Sequence, residues 1–223
     1  GVENTLIGGE AGDALTVGSK NIAIGYRALS NDRKGNKNVS VGNFTLATQN
    51  FSTATDSFNT AVGHGAGEGV TTGIRNTLIG ANAGDALTDA DDNVAVGMLA
   101  LSTCVLGSGN TAVGKDALED CNPDDAVTMH NTAVGQSAGA NLTTAIRGTF
   151  IGARSGSGAT LTGNNNTCVG YDSGLTLTSG SSNTLIGVYA GDSVTSGTNL
   201  TLLGLNAGQA LEGATRTTCL GDS

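Results

Sequence analysis

Apolar and polar residues follow one another along this chain in a short phrase that recurs thirteen times. The phrase is Asn-Thr-x-(Ile/Val)-Gly-x-x-Ala-(Gly/Leu), followed by a looser tail that often carries Leu-Thr and Gly. Its closing glycines are Gly8, Gly25, Gly42, Gly63, Gly80, Gly97, Gly114, Gly135, Gly152, Gly170, Gly187, Gly204 and Gly221. The spacing is 17 residues throughout, except for two steps of 21 and one of 18. The residue before each glycine is Ile, Val or Leu, and two positions earlier stands Thr (ten copies) or Ile22, Val39 and Val94. Residues two apart in a strand share a side, so each phrase predicts a short strand with β-branched residues on one face. The slot between them holds Ala, Leu, Ser, Cys or Phe. That second face is also mostly apolar, which predicts a strand covered on both faces. The glycine predicts a turn or a close backbone approach, and the small residue three positions on (Ala11, Ala28, Ala66, Ala83) a tight second corner.

A unit this short cannot bury its own apolar face, whereas stacked copies can. The pattern therefore predicts an all-β fold: a parallel β-solenoid (β-roll or β-helix) of about thirteen 17-residue coils. Twelve steps of about 4.8 Å give a rod of roughly 60 Å. The chain is expected to be a single repeat solenoid over residues 1–223, in blocks 4–75, 76–147 and 148–223. The first two blocks point to a duplication, since Asn4 to Leu29 and Asn76 to Leu101 agree at 16 of 26 positions. The 21-residue steps mark four-residue insertions near 50–58 and 122–130, expected to bulge from one corner. Asn opens ten copies, at Asn4, Asn21, Asn38, Asn59, Asn76, Asn93, Asn110, Asn131, Asn166 and Asn183. Two readings stand: a structural ladder of stacked amides bonded from coil to coil, or a preference for Asn in turns.

The runs Asn110 to Ala117 and Asn131 to Ala138, "NTAVG" with Ala three residues later, resemble the head repeats of YadA-like trimeric adhesins. The run "NIAIGYRAL" from Asn21 to Leu29 is similar to the stalk repeats of phage-type tail-fibre proteins. The likeness covers essentially the whole chain. It departs from the adhesin repeat in unit length, and no chaperone-like or globular tip region is recognisable. The resemblance implies a homotrimeric fibre outside a cell or on a virion tail fibre. Such a fibre projects or carries an element that binds a host or cell-surface glycan or protein. The chain stops part-way through a copy at Gly221-Asp222-Ser223, as expected of a segment of a longer fibre.

Composition sharpens this picture. Glycine is 36 of 223 residues, with one Pro, no Trp and seven Phe plus Tyr, too few bulky groups for an ordinary globular core. The glycines have no three-residue period, which excludes collagen. No run of about 20 apolar residues predicts membrane insertion. The formal charge of −9 argues against nucleic acid or anionic lipid as partner.

Candidate chemistry is sparse. Cys104 and Cys121 occupy the same slot in consecutive coils. They are a candidate disulfide or two small residues in a slot that elsewhere holds Leu15, Leu87 or Leu142. Cys168 and Cys219 lie three coils apart and cannot pair. No Cys/His spacing suggests zinc. Two acidic groups, Asp89, Asp91 and Asp92, and Asp120, Asp124 and Asp125, could offer oxygens to Ca²⁺ or be solvated corners. They match no calcium loop, and no cofactor is expected. The run Gly63 to Gly67 lacks the helix of a dinucleotide site, and His64 and His130 sit in unlike slots. No catalytic set stands out, and the chain is not expected to be an enzyme. Tyr26, Phe44, His64, Tyr171 and Tyr189, just after the repeated glycines, are either a contact surface or scattered aromatics. An ice-binding solenoid using the Thr column is the alternative function. Ile22, Val39 and Val94 in that column, and the constant Ile/Val two residues on, fit packing better than an ice surface.

Overall fold

The computed structural model describes residues 1–121, 123, 125–158 and 160–221. Asn122 and Asp124 of the second insertion, and Asp222 and Ser223, lie outside the described residues. Among the described residues the regular elements are all strands, and thirteen three-residue strands form one parallel sheet, from Thr5–Ile7 to Thr218–Leu220. Neighbours in the sheet are neighbours in sequence, with no crossover among these thirteen. Thr5, Leu6 and Ile7 stand opposite Ile22, Ala23 and Ile24, and the same one-to-one register holds up to Thr201–Leu203 against Thr218–Leu220. The molecule is a β-solenoid repeat protein of about thirteen turns, and the sheet runs unbroken through all three sequence blocks.

Of the two apolar faces expected to be covered, a single chain covers one. The mid-strand residue faces inward: Ala23, Ala61, Leu78, Ala95, Ala112, Phe150, Cys168 and Leu185 are fully buried. The β-branched residues flanking it face outward and are half-buried or exposed, so one chain covers only one face of its strands. A coil with one three-residue strand on a side has room inside for the single middle side chain. The two branched neighbours are left on the outer face by the alternation of the strand.

Each repeated glycine turns the corner after its strand at φ between +122° and +138° from Gly8 to Gly204. A Cβ at any of these positions would lie 2.2–2.7 Å from backbone of the glycine one coil on. Both conformation and contact therefore require glycine at this column. The following small residue (Ala11, Ala28, Ala83) closes the turn by donating its N–H to the glycine carbonyl at 3.3–3.4 Å and is buried. Where the small residue carries a hydroxyl, the hydroxyl is satisfied. Ser155 Oγ donates to the Cys168 carbonyl and Ser173 Oγ to the Leu185 carbonyl, both at 2.9 Å.

A second inner column lies seven residues after each glycine and includes Val70, Leu87, Cys104, Cys121, Leu142 and Leu177, all fully buried. The insertions do more than bulge. Residues Thr55–Asp56 pair in parallel with Gly35–Asn36, and Val127–Thr128 with Gly107–Ser108, giving two short additional sheets. Phe51 and Met129, both within the insertions, fold back into the core.

Candidate functional surfaces

The outer sheet face is the most extended feature of the molecule. Two columns run along it, one mostly of Thr and one of Ile, Val and Leu. Ile79 is 39% exposed, Ile151 40% and Leu203 48%, high values for branched aliphatics in a sheet. The Thr hydroxyls of this face accept or donate no hydrogen bond to another described residue. From Thr111 through Thr132, Thr149, Thr167, Thr184 and Thr201 to Thr218 the column is uninterrupted. The packing role read from Ile22, Val39 and Val94 is thus not met inside the chain, because these residues stand on the outer face with the threonines.

Just before ten of the strands stands an asparagine, and from Asn21 to Asn183 these side chains lie in a buried column, with Asn4 half-buried. The bonding differs from simple amide sharing. The Asn21 side-chain oxygen accepts the Asn38 backbone N–H at 2.9 Å, and its amide donates to the Gly35 carbonyl at 2.9 Å. The Asn76 and Asn93 side chains repeat the pattern, accepting from the N–H of Asn93 and Asn110 and donating to Ala90 and Gly107 carbonyls. Direct amide-to-amide bonds join Asn38 to Asn21, Asn110 to Asn93 and Asn183 to Asn166. Asn4, Asn59 and Asn131 belong to the same column. The column is interrupted at Gly148, where a Cβ would lie 2.4 Å from the Phe150 ring. The large ring occupies the space that an asparagine would need.

The aromatic residues form two separate clusters on the corner after the glycines. Tyr26 meets Phe44 edge-on at 5.5 Å, and Phe44 meets His64 at 5.8 Å. Six coils further on, Tyr171 meets Tyr189 at 5.7 Å. The guanidinium of Arg154 lies 5.5 Å from the Tyr171 ring centre and clamps Asp172 with two bonds of 2.8 and 2.6 Å. That hydrogen-bonded carboxylate raises the Arg154 pKa.

The first acidic corner is already engaged. Asp92 takes two hydrogen bonds from Arg75, one coil below, and this lowers its pKa. Asp91 accepts the Ile74 N–H at 2.8 Å. Asp124 of the second corner is outside the described residues, while Asp120 accepts from Thr103 at 3.1 Å. No group of three metal-ligating residues occurs among the described residues. Pairing from one coil to the next is general: Arg27 with Glu10, Lys37 with Asp56 and Arg75 with Asp92. Such exposed pairs are screened by solvent and contribute little to stability.

The cysteines divide as their slots require. Cys104 and Cys121 are stacked, fully buried and free, with sulfurs 3.1 Å apart. Cys168 shares the mid-strand column with Cys219 three coils on, and burial pushes its thiol up to about 12. Sequence reasoning passed over one polar site altogether. Asp32 and Gln49 fill consecutive positions of the otherwise apolar second column, and both are fully buried. Gln49 Nε2 donates to Asp32 Oδ2 at 2.7 Å and Asn59 donates to Gln49 Oε1 at 2.8 Å. Their place in the repeat, where most other coils have Leu or Val, is the signal that could have found them.

These features define a repetitive all-β solenoid with an exposed, ordered outer sheet. No protein-family model, curated protein or solved structure matches the chain. No helix among the described residues is long and apolar enough to cross a membrane.

Proposed function

We propose that this chain is the shaft of a structural and adhesive fibre, displayed outside a cell or on a virion, in which three copies pack through their outer sheet faces. The observation that carries this reading is the pair of branched columns running the length of the sheet, partly exposed on a single chain. Apolar side chains in such an array gain about 25 cal/mol for each Å² removed from water, and two like chains offer each other matching columns. In this reading the chain catalyses no reaction. It projects a binding element toward a glycan or protein on a host or neighbouring surface, and the two aromatic clusters flank the shaft as contact points. The acidic surface makes nucleic acid an unsuitable partner.

The outward Thr column supports a second reading, an ice-binding solenoid. Its hydroxyls make no hydrogen bond to another described residue and repeat at about the 4.8 Å strand spacing. The two readings compete for one face, so one preparation separates them. Light scattering after size-exclusion chromatography is expected to give the mass of three chains. Val96→Lys with Val113→Lys, on the outward column, is expected to release single chains that keep β-type circular dichroism. A monomeric wild-type chain would overturn the fibre reading, and thermal hysteresis from that monomer would establish the second.

A further inference from the structure

The two insertions and the second inner column coincide in a way that singles out Cys104 and Cys121. In the sequence this column, seven residues after the repeated glycines, has twelve positions. Seven hold Leu or Val: Leu15, Val70, Leu87, Leu142, Leu177, Val194 and Leu211. The apolar run is broken in two places, and both fall at a 21-residue coil and the coil before it. In the first block the pair is Asp32 and Gln49, bonded side chain to side chain at 2.7 Å. In the second block the equivalent pair, 72 residues on, is Cys104 and Cys121. A four-residue insertion follows each pair, at the point where stacking with the next coil is disturbed. At both places the chain has exchanged plain packing for a direct contact between side chains of adjacent coils.

The chamber around the second pair is built for sulfur. Both thiols are fully buried, and their Sγ atoms are 3.1 Å apart. Cys121 Sγ also lies 3.3 Å from Met129 Sδ, contributed by the insertion. Gly107 closes the floor, where a Cβ would stand 2.7 Å from Met129 Sδ and 2.8 Å from Cys104 Sγ. In-register coils hold the two cysteines at about the 4.8 Å strand spacing, inside the usual Cα separation of a disulfide. A bonded pair needs its sulfurs at about 2.05 Å, so roughly 1 Å of side-chain rotation separates contact from bond.

We propose that Cys104 and Cys121 form an intrachain disulfide that staples the sixth coil to the seventh when the chain folds under oxidising conditions. The oxidant is a small disulfide such as oxidised glutathione. One cysteine thiolate attacks it, giving a mixed disulfide and one released thiolate. The second cysteine thiolate attacks the protein sulfur of that mixed disulfide, forming the Cys104–Cys121 bond and releasing the second small thiolate. The two cysteine protons end on the two released thiols, so two protein thiols are oxidised and one small disulfide is reduced. The exchange needs thiolates. Inside the finished coil, the hydrogen bond with Cys104 and then burial hold the Cys121 thiol well above its ordinary value. The bond therefore forms while the coil is still open and is shielded from reductants after closure. The same apolar surroundings favour a neutral disulfide over a metal held by two thiolates. The proposal is independent of the fibre reading, because the chemistry requires only one chain and a redox buffer.

The test refolds the full chain from reducing denaturant into a glutathione redox buffer, then denatures it with an alkylating agent. Two of the four cysteines are expected to be alkylated, Cys168 and Cys219. Trypsin without reduction should yield residues 76–115 joined to residues 116–147, because Lys115 separates the two cysteines. A 17-residue loop closed in this way should raise the thermal midpoint by about 6–12 °C over the reduced chain. The variant Cys104→Leu with Cys121→Leu restores the apolar residue of the column and should fold with a midpoint indifferent to the redox buffer. Four alkylated cysteines, a link through Cys168 or Cys219, or retention of both thiols with a bound silver(I) probe would each overturn the proposal.

Discussion

One slot inside the coil alternates between two residues of very different size. Four positions after the repeated glycine the chain has Gly in eight coils (Gly12, Gly67, Gly84, Gly139, Gly156, Gly174, Gly191 and Gly208) and Leu in four (Leu29, Leu46, Leu101 and Leu118). All of these residues have positive φ, between 47° and 75°. Leucine in that conformation costs roughly 1–2 kcal/mol. The cost is offset by volume. Every leucine here accompanies a small mid-strand residue, Ala23, Ser40, Ala95 or Ala112, whereas Leu6, Leu78, Phe150, Leu185 and Leu202 accompany Gly. A Cβ at Gly84 would sit 2.7 Å from Leu78 Cδ2 and 2.8 Å from Leu87 Cδ1, so one coil cannot hold both large residues. Where both are small, at Ala61 with Gly67, Leu46 and Leu78 of the adjoining coils reach in. Leu78→Ala should destabilise by about 2–5 kcal/mol through the cavity it leaves. Gly84→Leu alone should also destabilise, by overpacking. The double variant copies the Ala95 and Leu101 pair of the next coil and relieves the contact with Leu78 but not that with Leu87, so it should recover part of the combined loss. Urea denaturation of the four proteins measures the coupling, and strict additivity would show that the two sites do not share one volume.

Strand and ladder set the order within a coil. The strand positions and their register were legible because the phrase recurs with its glycine fixed and its branched residues two apart. Which face turned inward was not legible. Both faces are largely apolar, so hydrophobicity alone gives no direction, and coil width decides it. The asparagine column was readable as a column. Its bonds were not, since the acceptor and donor partners are backbone groups brought close only by the turn 14 residues on. Asn93 accepts from the Asn110 N–H at 2.9 Å and donates to the Gly107 carbonyl at 3.0 Å, both in the interior. Asn93→Ala leaves the buried Asn110 N–H unpaired and the Gly107 carbonyl with only the long contact from the Cys104 thiol, and is expected to cost about 1–3 kcal/mol. Asn93→Asp keeps the acceptor but sets a buried carboxylate against the Gly107 carbonyl, so at neutral pH it should cost at least as much as Asn93→Ala. Chemical denaturation at pH 7 checks this order. Equal stability of the alanine variant and the wild type would reduce the column to a turn preference.

At the scale of the whole molecule, each coil touches only its neighbours, so the unit can be removed without disturbing the rest. Deleting residues 76–92, one full 17-residue turn, joins Arg75 to Asn93 and keeps every column in phase. The shortened chain should keep its β-type spectrum and lose about 4.8 Å of length by small-angle scattering. Deleting residues 76–83 instead shifts all later columns by half a turn and should abolish cooperative unfolding. Repeat spacing made the single-solenoid organisation readable from residues alone. The insertions were readable as extra length, but their inward-folding residues Phe51 and Met129 were not, because loop length says nothing of which side chains return to the core.

The one-to-one register has a further consequence for what such a molecule is good at. A coil of seventeen residues advances the axis by about 4.8 Å, or about 0.3 Å for each residue. An α-helix advances about 1.5 Å. The chain thus reaches about one fifth as far as a helix of equal length. In exchange it acquires girth and dense lateral cross-bonding, the attributes of a strut that must resist bending rather than of a tether that must span distance.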